Sequence, residues 1–130
     1  MKKYLISILT SNSIELLDLS IYSAINQIFK DYDIHIIVNS TNTNYYNKVI
    51  ELCNNNYKNK ITKIINTESN GKPGKGHNSV INEFKKTNYT YLLILDGDDF
   101  LYPSCLERLD NIITKDTDII QFINSSNIKI

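Results

Sequence analysis

Tyr91-Leu-Leu-Ile-Leu-Asp96-Gly97-Asp98-Asp99-Phe100-Leu-Tyr-Pro103 is an apolar run that breaks abruptly into carboxylates. A short apolar run bounded by turn residues reads as a fully buried strand of a parallel sheet. The acids then stand just past the strand's carboxyl end, where open α/β sheets bind ligands. Asp96, Asp98 and Asp99 repel one another, so at least one should carry a raised pKa unless a cation neutralises them. Oxygen donors alone favour a hard ion, Mg2+ or Mn2+, shared with a substrate phosphate. The plainer alternative is a solvated acidic turn, with Gly97 present only for the bend. The buried strand before the acids and the Tyr102-Pro103 helix start after them favour the metal site.

The rest of the chain supplies a sheet for that strand. Tyr4 to Thr10 reads as a first buried strand. Ile14, Leu17, Ile21, Ala24, Ile25 and Ile28 then recur at helical spacing to about Phe29. Asn12, with Glu15 three residues on, resembles a capping box for this helix. Ile34 to Val38 is a second strand, rich in β-branched residues. Tyr46, Val49, Ile50 and Cys53 mark a second helix, and Ile61 to Ile65 a third strand. A loop from Asn66 to Lys75 leads through Gly76 and His77 into a helix carrying Val80, Ile81 and Phe84. After the acidic turn, Pro103 suits the first turn of a fourth helix, with Leu106, Leu109, Ile112 and Ile113 inward. Asp118 to Ile123 reads as a fifth strand. This alternation predicts an α/β fold: a mainly parallel, Rossmann-like sheet with helices on both faces.

Bulk properties narrow the function. A chain of 130 residues with 42% hydrophobic content suits one globular domain. Lys+Arg and Asp+Glu are both 14, so no global basic field draws in nucleic acid or acidic lipid. Cys53 and Cys105 form no CxxC pair, which disfavours a zinc site or disulfide framework and fits a reducing compartment. Met1-Lys2-Lys3 followed by Tyr4 to Leu9 imitates a signal peptide, but Glu15 and Asp18 follow without a small-residue cleavage site. No segment approaches membrane-spanning length, so a soluble cytoplasmic protein is expected.

In such a sheet every strand-to-helix loop opens on one edge. Four loops therefore converge. Thr10, Ser11 and Asn12 offer hydroxyls and amides. Asn39 and Ser40 offer groups suited to a base or ribose. Lys72, Lys75, His77 and Asn78 suit phosphates. Asp96, Gly97 and Asp98 supply the metal end. A nucleoside diphosphate would satisfy all four. Gly71 to Asn78 itself fits neither phosphate-loop template. His77 follows Gly76 where a Walker loop needs Lys, and Ser79 stands where the dinucleotide fingerprint needs Gly. Phe100 and Leu101 exclude an EF-hand calcium loop. His35, among β-branched neighbours, reads as a packed or edge histidine.

These pieces together resemble a family 2-type glycosyltransferase with the GT-A fold. Leu9-Thr10-Ser11-Asn12 is similar to the family's Pro-Thr-Tyr-Asn turn, and Ser23-Ala-Ile-Asn26-Gln27 to its Ser-Ile-Xaa-Asn-Gln stretch. Val38-Asn39-Ser40 stands at its Val-Asp-Asp-Gly-Ser turn. Gly71 to His77-Asn78 stands at its Gly-rich stretch ending in Arg-Asn, and Asp96-Gly97-Asp98-Asp99, trailed by Tyr102-Pro103, at its metal motif. The similarity runs from Tyr4 to about Ile123.

The resemblance implies a donor site for a nucleotide-diphosphate sugar, a UDP-sugar first. Thr10 and its turn would contact the nucleotide, and Asn39 would replace an acidic residue that recognises the base. His77 would stand in for an Arg near the phosphates. Asp96 would face ribose or metal, and Asp98 would bind the metal on the diphosphate. The acceptor would be a glycan, lipid or protein. The family's acceptor half and catalytic base follow the metal motif, and Glu107, Asp110, Asp116 and Asp118 match no base motif. Residues 1–130 are thus expected to form a single donor-binding domain, truncated after the metal motif, with a partner or dimer mate supplying the acceptor side. Two rivals remain. One is a catalytically inactive nucleotide-binding module. The other is a haloacid-dehalogenase-type phosphotransferase, with Asp96 as nucleophile and Asp98 as general acid.

Overall fold

The computed structural model describes residues 2–67 and 73–116. Elements alternate as β1 (Tyr4–Thr10), α1 (Ile14–Ile25), β2 (Tyr32–Val38), α2 (Thr43–Asn56), β3 (Lys63–Asn66), α3 (Pro73–Lys85), β4 (Tyr91–Asp96) and α4 (Cys105–Ile112). The four strands form one parallel sheet in the order β3-β2-β1-β4. The first two strands are buried nearly throughout, which is why they read as predominantly apolar runs. The expected strand over 118–123 lies outside the described residues.

Side chains alternate across the sheet. Tyr4, Ile6 and Ile8 join Ile34, Ile36, Val38, Leu93 and Leu95 in a core closed by α1, α2 and α4. The opposite face carries Leu9 and Ile37 and is covered by α3, which packs on β1 and β2. Helices therefore lie on both faces, as the sequence predicts.

Several element ends differ from expectation, two of them because of hydrogen bonds between distant segments. α1 stops at Ile25 and does not reach Phe29, because the Ile28 amide donates to the Pro103 carbonyl at 2.9 Å. Its N-cap is Ser13, whose Oγ accepts from the Leu16 amide; Asn12 is left in the loop. α4 begins at Cys105, two residues past Pro103, because the Tyr102 and Pro103 carbonyls are engaged by Gln27 and Ile28. β2 starts earlier, at Tyr32, which pairs with Tyr4. β3 is displaced to Lys63–Asn66, where it matches His35 to Val38. α3 begins at Pro73, a residue whose fixed φ and missing N–H suit a first helical position, so Gly76 and His77 lie inside its first turns.

Candidate functional site

The parallel register brings the ends of three strands level. Thr10 pairs with Val38, and Leu9 pairs with Asp96. The Asn39 amide then donates to the Thr10 carbonyl at 2.8 Å, and the Gly97 amide to the Leu9 carbonyl at 2.7 Å. A cavity of about 290 Å³ opens over this edge. Its floor and one wall are Leu9, Thr10, Ser11 and Asn12, continued by Ser13 and Leu16. The remaining wall is Asn39, His77, Asp96, Gly97 and Asp98.

Eight of the residues singled out from sequence thus share one cavity: Thr10, Ser11, Asn12, Asn39, His77, Asp96, Gly97 and Asp98. Three do not line it. Ser40 is half-buried, and its Oγ accepts from the Asn42 amide ahead of α2. Lys75 and Asn78 are exposed on α3, whose turn carries His77 toward the cavity and leaves them outside. Lys72 lies outside the described residues.

Both glycines in the site permit close approach. A Cβ at Gly97 would stand 2.9 Å from Thr10 Cβ and 3.1 Å from the Leu9 carbonyl oxygen. A Cβ at Gly76 would stand 2.5 Å from Asn39 Nδ2 and 3.2 Å from Leu9 Cδ2. Gly97 is therefore needed for contact as well as for the bend.

Among the described residues, Asp96, Asp98 and Asp99 each place a carboxylate oxygen within 4.8 Å of the others. All three are exposed. Partial burial, with the charges of Asp98 and Asp96, holds the Asp99 carboxyl above its ordinary value. The repulsion expected from the sequence is thus present, and it falls on Asp99. His77 Nε2 lies 3.6 Å from Asp96 Oδ1, a half-exposed contact worth little in water.

Two supports carried no signal in the sequence's periodicity. Tyr45, buried on α2, shares a hydrogen bond with Thr10 Oγ1, and its hydroxyl also meets the Ser13 backbone. One phenol thus ties down both ends of the β1–α1 loop. Burial pushes that phenol's pKa up, against these two hydrogen bonds. The second support runs along α1. Ser20 Oγ donates to the Asp99 carbonyl, and Ser23 Oγ accepts from the Leu101 amide. Gln27 Nε2 donates to the Tyr102 carbonyl, and its Oε1 accepts from the Leu106 amide. The segment after the acids is held to α1, and to Gln27 just past its end, at these points.

A model of the family described as glycosyl transferase family 2 matches residues 6–128. The chain belongs to glycosyl transferase family 2. That membership sets aside the haloacid-dehalogenase reading. The fold of this family 2 chain is shared with S. aureus TarS. The crystal structure of TarS 1–349 aligns with a TM-score of 0.64 and 22% identity, over 84% of this chain and 31% of that one. Its complex with UDP-GlcNAc aligns with a TM-score of 0.66 and 20% identity, over 92% of this chain and 37% of that one. Its complex with UDP gives 0.65 and 20%, over 92% and 38%. This family 2 chain therefore spans about a third of the TarS chains it matches. Comparison with curated protein sequences gives no match. Among the described residues, no helix is long and apolar enough to cross a membrane.

Proposed function

We propose that this chain binds a nucleotide-diphosphate sugar, a UDP-sugar first, through Mg2+ or Mn2+ at the acidic turn, and holds the sugar for transfer to a glycan, lipid or protein acceptor. The observation that carries the reading is a carboxylate cluster at one end of a cavity whose other walls carry the hydroxyls and amides of Thr10, Ser11, Asn12, Ser13 and Asn39. The TarS complexes with UDP and UDP-GlcNAc support it by likeness of fold.

The acidic turn suits a hard cation. Oxygens bind Mg2+ at about 2.0–2.1 Å, so opposite ligands stand about 4 Å apart. Carboxylates within 4.8 Å of one another need only a small closing motion to share one ion. Asp98 and Asp96 would hold it, with Asp99 beside them. When bound, the cation would stabilise charge on the departing nucleoside diphosphate. The remaining work belongs to the chain's own groups. Thr10, Ser11 and Asn12 orient the nucleotide, Asn39 meets the base, and His77 stands at the phosphates.

An inverting transfer also needs a base to take the acceptor's proton. Among the described residues, the acids beyond the turn stand elsewhere. Asp110 is bound to Lys3 and Tyr4 at the opposite edge of the sheet, and Glu107 and Asp116 are exposed on and after α4. In this reading residues 1–130 act as the donor-binding domain, and none of the described acids beyond the turn lines the cavity. Cys53 and Cys105 are free thiols, which suits the reducing cytoplasm.

Incubating the protein with UDP-sugars and Mn2+ and following UDP release tests the transferase reading. Release above the protein-free rate supports it. Binding without release from any donor supports the second reading, a nucleotide-binding module, which the position of Asp110 favours.

A further inference from the structure

A buried hydroxyl on α1 is aimed at the acidic turn. Ser20 is fully buried among Leu17, Ile21 and Ala24, on the face that α1 gives to the core. A serine inside a helix ordinarily points to solvent or bonds back to the carbonyl one turn earlier. Ser20 Oγ instead donates to the Asp99 carbonyl, 79 residues on, at 2.6 Å. Ser23 Oγ, one turn later, accepts from the Leu101 amide at 3.1 Å and donates to the Ser20 carbonyl at 2.8 Å. The two serines thus hold both peptide bonds that flank Phe100.

The turn that carries the acids is fixed in three ways. At its entry the Gly97 amide donates to the Leu9 carbonyl. The Asp99 amide closes it on the Asp96 carbonyl at 2.9 Å. Ser20 fixes its exit. The three carboxylates repel one another, and a loose turn would relieve that repulsion by swinging Asp99 away from Asp96 and Asp98. The entry bond leaves the end of the turn free to move, and the bond from Ser20 holds it.

We infer that Ser20 is a positioning residue for the divalent cation: from α1 it holds the Asp99 peptide so that the carboxylates of the turn stay close enough to share one ion. The inference rests on reading the acidic turn as the cation end of a nucleotide site. A turn held ready loses less freedom when the ion arrives, so the clamp is expressed as metal affinity. It acts on the metal-bridged part of nucleotide binding, because Thr10 and Asn39 are held by each other and by Tyr45.

The test is calorimetric titration of UDP into the full chain, with and without Mn2+, for the wild type, Ser20→Ala and Tyr57→Phe. The ratio of the two affinities is the readout. Ser20→Ala should lower that ratio by at least about threefold, within the worth of one hydrogen bond, and leave the affinity without Mn2+ unchanged. Tyr57→Phe removes a hydroxyl bonded to Asp18 on the same helix, away from the turn, and should leave the ratio unchanged. A folded Ser20→Ala with a ratio within about threefold of the wild type overturns the inference, and so does an equal loss with and without Mn2+. A ratio that falls as far in Tyr57→Phe overturns it too, because any loosening of α1 would then suffice. All three results leave the cation site standing. If Ser20→Ala fails to fold in a thermal melt, Ser20→Cys, of nearly the same size but a weak donor, decides by the same ratio. A wild type whose UDP affinity does not respond to Mn2+ overturns the cation site itself, and the inference with it.

Discussion

His35 is a buried imidazole whose Nδ1 has no hydrogen-bond partner among the described residues. It packs edge-on to Tyr89, and burial holds its pKa below the ordinary 6.5, with Lys63 adding to the shift and Glu83 and Asp33 opposing it. The folded state therefore binds this proton less readily than the unfolded chain. Stability should be full above 6.5 and fall as pH drops through the folded value. His35→Leu should flatten this part of a pH-dependent melt. Glu83 and Asp110 have depressed values and act in a separate, more acid window, below their ordinary 4.5 and 3.8. The sequence shows His35 as a packed residue but not its missing partner, which depends on what neighbouring strands and helices place around it. Gly97 makes the same point. Its turn is legible, but its contact with Thr10 is not, because that contact arises only once β4 pairs with β1. Gly97→Ala should cost about 1–3 kcal/mol through overpacking. It should also weaken metal-dependent nucleotide binding, as read by urea unfolding and by titration.

Among elements, strands are more legible than helix ends. β1 is found at its full length because burial on both faces leaves mostly apolar residues there, with Ser7 and Thr10 the exceptions. The end of α1 is hidden, because it is set by an amide-to-carbonyl bond between Ile28 and Pro103, far apart in sequence. Gln27 shows what such bonds are worth. It is fully buried and satisfies the Leu106 amide and the Tyr102 carbonyl. Gln27→Ala leaves the buried Leu106 amide without its partner, while the Tyr102 carbonyl keeps the Cys105 amide. A loss of about 1–3 kcal/mol in urea unfolding is expected. Tyr45→Phe should be milder, about 1 kcal/mol, because one hydroxyl is removed and the ring stays packed. It should still lower nucleotide affinity, since the β1–α1 loop loses its tie at Thr10 and Ser13. A hydrophobic Tyr45→Leu control distinguishes loss of packing from loss of the hydroxyl.

For the whole molecule, the parallel sheet turns four scattered loops into one edge. Their convergence follows from topology alone, so most of the cavity is legible before any side chain is placed. What topology does not supply is the rotation of α3, which brings His77 in and leaves Lys75 and Asn78 out. The acidic turn gives the cavity its sign, and a divalent cation there is the central proposal. Calorimetric titration of UDP into the wild type and Asp98→Asn, each with and without Mn2+, tests it most directly. A metal-bridged donor site requires UDP to bind the wild type at least about tenfold more tightly with Mn2+ than without, a difference of about 1.4 kcal/mol that Asp98→Asn removes. Equal affinity with and without Mn2+, or an undiminished Mn2+ effect in Asp98→Asn, would contradict it.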